Sequence, residues 1–301
     1  MSDDPIGFIG LGNMGGRIAR RIIAGGRAVL GFDLRPDAVV ECGATPAESI
    51  PALAQEADVV LLSLPDSRAV ESVLLAEDGQ PAWGRAGQVV VDLSTSSPES
   101  TRHLARLLAE RGAIYLDAGI SGGAAAAEAG TLTLMVGGDA GTLERIRSVL
   151  DLFASKVYHC GESGTGHTAK LLNNFLNAIA LSATAEVMVA AKQAGLDLQT
   201  MLDILNSSSG INFATLNRFP RIIHGDYLKG GLTNALMMKD VTLYVELLGR
   251  LGVISPNSAG PLASFGLASA LGYADQISNT VVDAIGDMSG GIRLYDGGGQ
   301  Q

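Results

Sequence analysis

The feature that most constrains this chain is an alternation in its first half. Six short runs are apolar along nearly their whole length: IGFIGLG at 6–12, AVLGFDL at 28–34, DVVLLSL at 58–64, QVVVDLS at 88–94, AIYLDAGI at 113–120 and TLTLMVGG at 131–138. Segments with helical spacing separate them. Strands that are apolar on both faces must be buried on both faces, and helical crossovers between such strands make them parallel. The expected fold of this half is a doubly wound α/β sheet.

From about residue 164 the β-branched runs stop. Ala-, Leu- and Met-rich segments take over at 166–194, 198–206, 233–251, 259–271 and 275–288. The second half is therefore expected to be all helical, joined to the first by the long helix beginning near 166. The tail, 293–301, lacks core-forming residues and is expected to fray.

Composition narrows the function. A net charge of −10 argues against nucleic acid, which needs clustered Lys and Arg, and against an anionic membrane surface. The most apolar helical stretch, 175–191, is interrupted by Asn177 and Glu186, so no membrane span is expected. Cys42 and Cys160 are far apart and form neither a disulfide framework nor a metal site by themselves. With no basic segment in MSDDPIGFIG, the expected location is cytoplasmic.

Gly10-Leu11-Gly12-Asn13-Met14-Gly15 is a GxGxxG set between a predicted strand and a predicted helix. The first glycine permits a tight turn, the second lets a pyrophosphate approach the backbone, and the third lets the helix pack on the strand. The helix N-terminus adds N–H groups and a positive dipole. Asp33 ends the second strand about twenty residues on, where a ribose hydroxyl needs an acceptor. The expectation is a Rossmann-like dinucleotide domain over 1–164, then an all-helical domain over 165–292, to which the resemblance described below adds substrate binding and dimerisation. A carboxylate at 33 repels a 2′-phosphate, so NAD is the expected cofactor. Arg35 keeps NADP as the alternative.

The long helix poses its own question. In GTGHTAKLLNNFLNAIAL at 164–181, Lys170, Asn173, Asn174 and Asn177 share one helix face and form a polar stripe that fades after two turns. The stripe faces either water or something that needs a cation and amides. Of the four histidines, His103 and His224 read as surface residues. His159 and His167 flank no carboxylate spacing that completes a metal site, and His167 is a candidate to line a pocket through its place beside Lys170.

Four separated motifs now carry a resemblance: GFIGLGNMG at 7–15, DLSTSSP at 92–98, DAGISGG at 117–123 and GTGHTAKLLNN at 164–174, with a weaker fifth, LMMKD, at 236–240. Their order and spacing resemble those of the β-hydroxyacid dehydrogenases, the family of 3-hydroxyisobutyrate dehydrogenase and tartronate semialdehyde reductase within the 6-phosphogluconate dehydrogenase superfamily. The resemblance implies that Ser121, Gly122 and Gly123 hold a substrate carboxylate. It implies that Lys170 is the catalytic lysine and Asn174, or its neighbour Asn173, the substrate-orienting amide. Lys239 matches a second lysine near cofactor and substrate, Thr95 a residue near the nicotinamide ribose, and Leu64-Pro65 the loop after the third predicted strand.

Departures from the family pattern stand at Gly119-Ile120, where proline and valine are usual, at Arg21, usually asparagine, and at Gly231-Leu232, where a phenylalanine is common. None of these touches the proposed chemistry as read from sequence. Specificity is read around 119–128, 207–216 and 231–240, with Ser208, Ser209 and Asn212 as further candidate contacts.

On this reading the polar stripe is one wall of an active site. Oxidising an alcohol with NAD requires removal of the hydroxyl proton, and a lysine can take it. The expected partner is a small hydroxy acid or its semialdehyde, and the apolar helical half implies a homodimer or homotetramer. The rivals are an imine reductase, which generally lacks this lysine, and a non-catalytic dinucleotide sensor.

Overall fold

The computed structural model describes residues 4–228 and 231–295, so most of the predicted tail lies outside the described residues. The chain divides into two compact units, Met1–Lys170 and Leu171–Gln301.

The first unit is built on eight strands: β1 Ile6–Ile9, β2 Val29–Phe32, β3 Thr45–Pro46, β4 Val59–Leu62, β5 Val89–Asp92, β6 Ile114–Ser121, β7 Leu132–Gly137 and β8 Ala154–Gly161. They form one sheet in the order β3-β2-β1-β4-β5-β6-β7-β8. Its helices are α1 Gly15–Ala24, α2 Pro36–Glu41, α3 Ile50–Glu56, α4 Ser67–Leu74, α5 Pro98–Glu110, α6 Gly123–Ala129 and α7 Ala140–Leu150. Alternate strand residues feed opposite cores. Phe8, Leu61 and Val91 pack with Ile18 and Ile146 on one face, while Ile9, Leu62 and Val90 pack with Leu53 and Leu104 on the other. This two-sided burial is what the apolar runs demanded.

The sheet departs from an all-parallel expectation at one place. β6 pairs with β5 in parallel through Asp92↔Asp117, then continues to Ser121 against β7, which runs antiparallel to it. The reversal passes through Gly122 and Gly123, both at positive φ, and the short α6. Hydrophobic periodicity carries no information about strand direction, so the reversal was invisible in the pattern. Two edge strands also escaped it: β3 is a two-residue bridge ending in Pro46, and β8 has half of its residues exposed.

α8, Thr165–Gln193, has its first residues in the first unit and the rest in the second. Among the described residues it is the one helix long and apolar enough to cross a membrane, and 56% of its most apolar window is buried within the protein. The second unit continues with α9 Leu198–Asn206, α10 Phe213–Asn217, α11 Phe219–Ile222, α12 Asn234–Leu251, α13 Ala259–Ala268 and α14 Val281–Met288. Its core gathers Leu181, Met188, Phe219, Met237, Phe265 and Val281. Leu294, placed in the tail by sequence, is buried in that core, and Arg293 beside it pairs with Asp287.

Candidate active site

The strand order reverses between β1 and β4, and the glycine-rich loop sits at that switch point. Gly10 has φ of 88°, and a Cβ there would lie 2.4 Å from the Ser63 carbonyl oxygen. A Cβ on Gly15 would lie 1.9 Å from the Gly10 carbonyl, so these two glycines close the turn. Gly12 differs, because a Cβ there would meet nothing within 4 Å. The backbone is thus open where a ligand approaches. α1 begins without a side-chain cap at Met14, which leaves its first N–H groups for an anion.

Around the loop, Arg17 donates to the Asn13 carbonyl and side chain and pairs with Glu128 of α6 at 3.3 Å. Asp33 does more than the sequence suggested. It accepts the Leu11 N–H at 2.7 Å and the Arg35 N–H at 2.8 Å, tying the glycine loop to the end of β2. A carboxylate offers about four acceptor sites, so ribose hydroxyls still find acceptors there. These features fit a dinucleotide: an open backbone, an uncapped helix and a carboxylate in the expected place.

The loops after β4 and β5 are joined. Leu64 N–H donates to Ser94 Oγ at 2.9 Å, and Pro65 follows it at the surface. Asp92, fully buried, accepts from Ser94 N–H at 2.9 Å, Ser96 Oγ at 3.2 Å and the Tyr115 hydroxyl at 2.8 Å. Thr95 is presented, half-buried, between two serines pinned by that carboxylate. Burial, then the Asp92 charge, pushes the Tyr115 phenol well above its ordinary value, so it stays a donor.

Lys170 is placed by the start of α8. Asp117, fully buried at the middle of β6, accepts the Gly164 N–H at 2.7 Å and the His167 N–H at 2.8 Å. One turn later Lys170 packs on the β6 backbone, where a Cβ on Gly119 would lie 2.5 Å from Lys170 Cβ. The departure at Gly119 therefore does touch the proposed chemistry, because it sets how closely the lysine approaches the strand. Lys170 is only 7% exposed. Two residues beyond Gly119, Ser121 ends the strand and leads into Gly122 and Gly123, and the space around Gly123 is open.

The polar stripe divides along α8. Asn174 is buried and donates from Nδ2 to Asp240 Oδ2 at 2.5 Å. A carboxylate acceptor fixes the amide's orientation and turns its oxygen the other way. Asn173 is exposed. Asn177 has a different partner and accepts from Arg218, which also donates to Asn279. Burial lowers the Arg218 pKa to about 10. Lys239 Nζ lies 3.2 Å from Asp240 Oδ1, so Asp240 joins Asn174 and Lys239. The aspartate of LMMKD thus holds Asn174 and Lys239, a role that the sequence pattern did not single out.

Two other expectations change. The His167 ring is fully buried, between Thr101 Oγ1 at 2.7 Å and the Asp92 carbonyl at 3.3 Å, and it lines no open surface. Asn212 caps α10 in a reciprocal box with Thr215, whereas Ser208 and Ser209 are exposed. Among the described residues, no three His, Cys, Asp or Glu side chains converge to hold a metal.

Comparison with known proteins follows the same lines. Residues 5–161 match the family described as the NAD binding domain of 6-phosphogluconate dehydrogenase, and 164–285 that described as the NAD-binding of NADP-dependent 3-hydroxyisobutyrate dehydrogenase. The 2-(hydroxymethyl)glutarate dehydrogenase of Eubacterium barkeri is 35% identical over 288 residues, covering 95% of this chain and 96% of that protein. The NAD-dependent L-serine dehydrogenase of Pseudomonas aeruginosa is 38% identical over 281 residues, covering 90% and 94%. The solved structure of Mycobacterium tuberculosis 3-hydroxyisobutyrate dehydrogenase with L-serine has a TM-score of 0.82 at 32% identity, covering 93% of this chain and 98% of that one.

The glycine loop separates binding from folding. Gly12→Ala is expected to leave the melting temperature unchanged and to weaken NADH by roughly tenfold, about 1.4 kcal/mol, in a fluorescence titration. Gly15→Ala is expected to cost about 1–3 kcal/mol of stability through overpacking. Equal effects of the two substitutions in both measurements would contradict the roles assigned.

Proposed function

We propose a reaction for this chain from one premise: it belongs to the β-hydroxyacid dehydrogenase family, and is a nicotinamide-dependent oxidoreductase acting on the CH–OH group of a small hydroxy acid. The cofactor is NAD, with NADP as the alternative. Bound there, the nicotinamide supplies the hydride acceptor for oxidation, or the donor for reduction. In the proposal Gly10–Gly15 hold the pyrophosphate and Asp33 the adenosine ribose. Leu64-Pro65 and Thr95 border the nicotinamide end, with Lys239. The assignment of 1–164 to the dinucleotide and 165–292 to substrate and dimerisation belongs to the same reading.

The observation that carries the chemistry is Lys170, 7% exposed and seated on the β6 backbone two residues before Ser121. A carboxylate on Ser121 and the Gly122–Gly123 backbone would leave a hydroxyl on the second carbon from it within the lysine's reach. Lys170 accepts that proton during oxidation and returns it to the carbonyl oxygen during reduction. Asn174, its amide set by Asp240, offers the substrate an oxygen acceptor; Asn173 is exposed and serves less well. L-serine, 3-hydroxyisobutyrate and 2-(hydroxymethyl)glutarate, the acids in the relatives' names, share the form HOCH2–CHR–COO⁻. The proposed substrate has that form, with R read by residues near 119–128.

A second copy of this chain completes the reading. Leu172, Leu176, Ala183, Val187 and Ala190 are exposed within a narrow arc of α8, and Leu176 is 67% exposed. An apolar stripe several turns long fits a homo-oligomer interface better than water.

Two measurements test these proposals. NADH formation is followed with a panel of HOCH2–CHR–COO⁻ acids, each with NAD⁺ and NADP⁺. Turnover with at least one acid is expected, with NAD⁺ preferred, and Lys170→Ala should lower kcat by about 10²–10⁴ while still binding NADH. A Lys170→Ala enzyme that turns over normally, or a wild type that reduces imines alone, would sink the assignment. In analytical ultracentrifugation the wild type should sediment as a dimer or tetramer, and Leu176→Glu as a smaller species. A monomeric wild type at micromolar concentration would rule out the interface.

A further inference from the structure

The proposed chemistry leaves a fully buried, hydrogen-bonded histidine ring unused. We propose that His167 is a positioning residue that locks the turn of α8 carrying Lys170 to the loop carrying Thr95. This rests on the reading of Lys170 as the proton-transfer group.

Three contacts from one residue make the lock. The His167 backbone N–H donates to Asp117 Oδ2 at 2.8 Å, fixing it to β6. Its Nε2 lies 3.3 Å from the Asp92 carbonyl at the end of β5. A carbonyl only accepts, so Nε2 carries the hydrogen. Nδ1 is then assigned as the acceptor for the Thr101 hydroxyl of α5, 2.7 Å away. β5, α5 and β6 thus meet on a single residue.

Each end of the lock touches working parts. Asp92 is the residue whose carboxylate pins Ser94 and Ser96 on either side of Thr95, and Ser94 Oγ holds the Leu64 N–H. Lys170 lies three residues after His167, on the same side of the helix. Rotation of this turn would move the lysine relative to the loops on the cofactor side. A core histidine serving only to fill space needs neither ring contact, and an aromatic ring of similar size would replace it at little cost. That difference makes the lock testable.

The variants are His167→Phe, which fills the space without either bond, His167→Gln, which can restore a donor toward the Asp92 carbonyl, and Thr101→Val, which removes the other partner. Selective ¹⁵N labelling of histidine in the wild type should show a protonated Nε2 and an unprotonated Nδ1. His167→Phe and Thr101→Val should speed hydrogen exchange of the amides at 168–171. They should lower kcat roughly ten- to a hundredfold while KM and the NADH dissociation constant change by no more than about twofold. His167→Gln should recover part of the kcat.

Unchanged exchange and kcat in His167→Phe, or an Nδ1–H tautomer in the wild type, would overturn the proposal. Lys170→Ala separates the two readings. Full turnover in that variant would refute the lysine's role, while exchange at 168–171 would still decide the lock.

Discussion

A buried carboxylate at the start of α8 is the interaction on which the site depends. Asp117 receives two N–H groups from the first turn of that helix, out of reach of water. A negative charge at a helix N-terminus is favoured by the helix dipole, and charge-assisted bonds are among the stronger ones available. Leaving that charge unpaired would be costly, so the first turn of α8 has little freedom to shift. Gly166 shows how tight the fit is, because a Cβ there would lie 2.4 Å from the Met135 carbonyl oxygen and 2.6 Å from that of Asp117.

Asp92 stands directly opposite Asp117 on the neighbouring strand, and each carboxylate organises one side of the proposed chemistry. Asp92 shapes the loop that presents Thr95, and Asp117 anchors the turn that presents Lys170. Asp92 takes its donors from its own loop and from β6, and Asp117 from the first turn of α8, and such buried bonds between elements give a polar network its rigidity. The remaining control is steric: Gly119 lets Lys170 rest on the strand itself. A proline, usual at that position in the family, would bring a Cβ into the space the lysine occupies here.

Much of this was legible in the sequence. The glycine loop, its placement after β1 and the apolar strands came from spacing and patterning, which report local geometry and two-sided burial. The direction of β7 was not legible, because it depends on a turn at Gly122-Gly123 and α6. The exposed edge strand β8 carried no apolar run to announce it. The stripe at 170–177 was legible as a face of a helix. Its division was not, since it depends on Asp240 and Arg218, sixty-six residues from Asn174 and forty-one from Asn177. Asp92, Asp117 and Asp240 all lie inside the sequence motifs. An acidic residue at a strand end or in a helix looks alike in sequence whether it meets solvent or caps a buried turn.

The central claim is that the capped first turn of α8 places Lys170 for proton transfer. Asp117→Asn tests it most directly. The amide keeps the size of the carboxylate and one acceptor oxygen, but turns an NH2 toward the second helix N–H, a mismatch of about 1–3 kcal/mol. The expected result is a folded protein that binds NADH with unchanged affinity yet loses turnover by roughly a hundredfold. Wild-type turnover in a folded Asp117→Asn enzyme would contradict the claim.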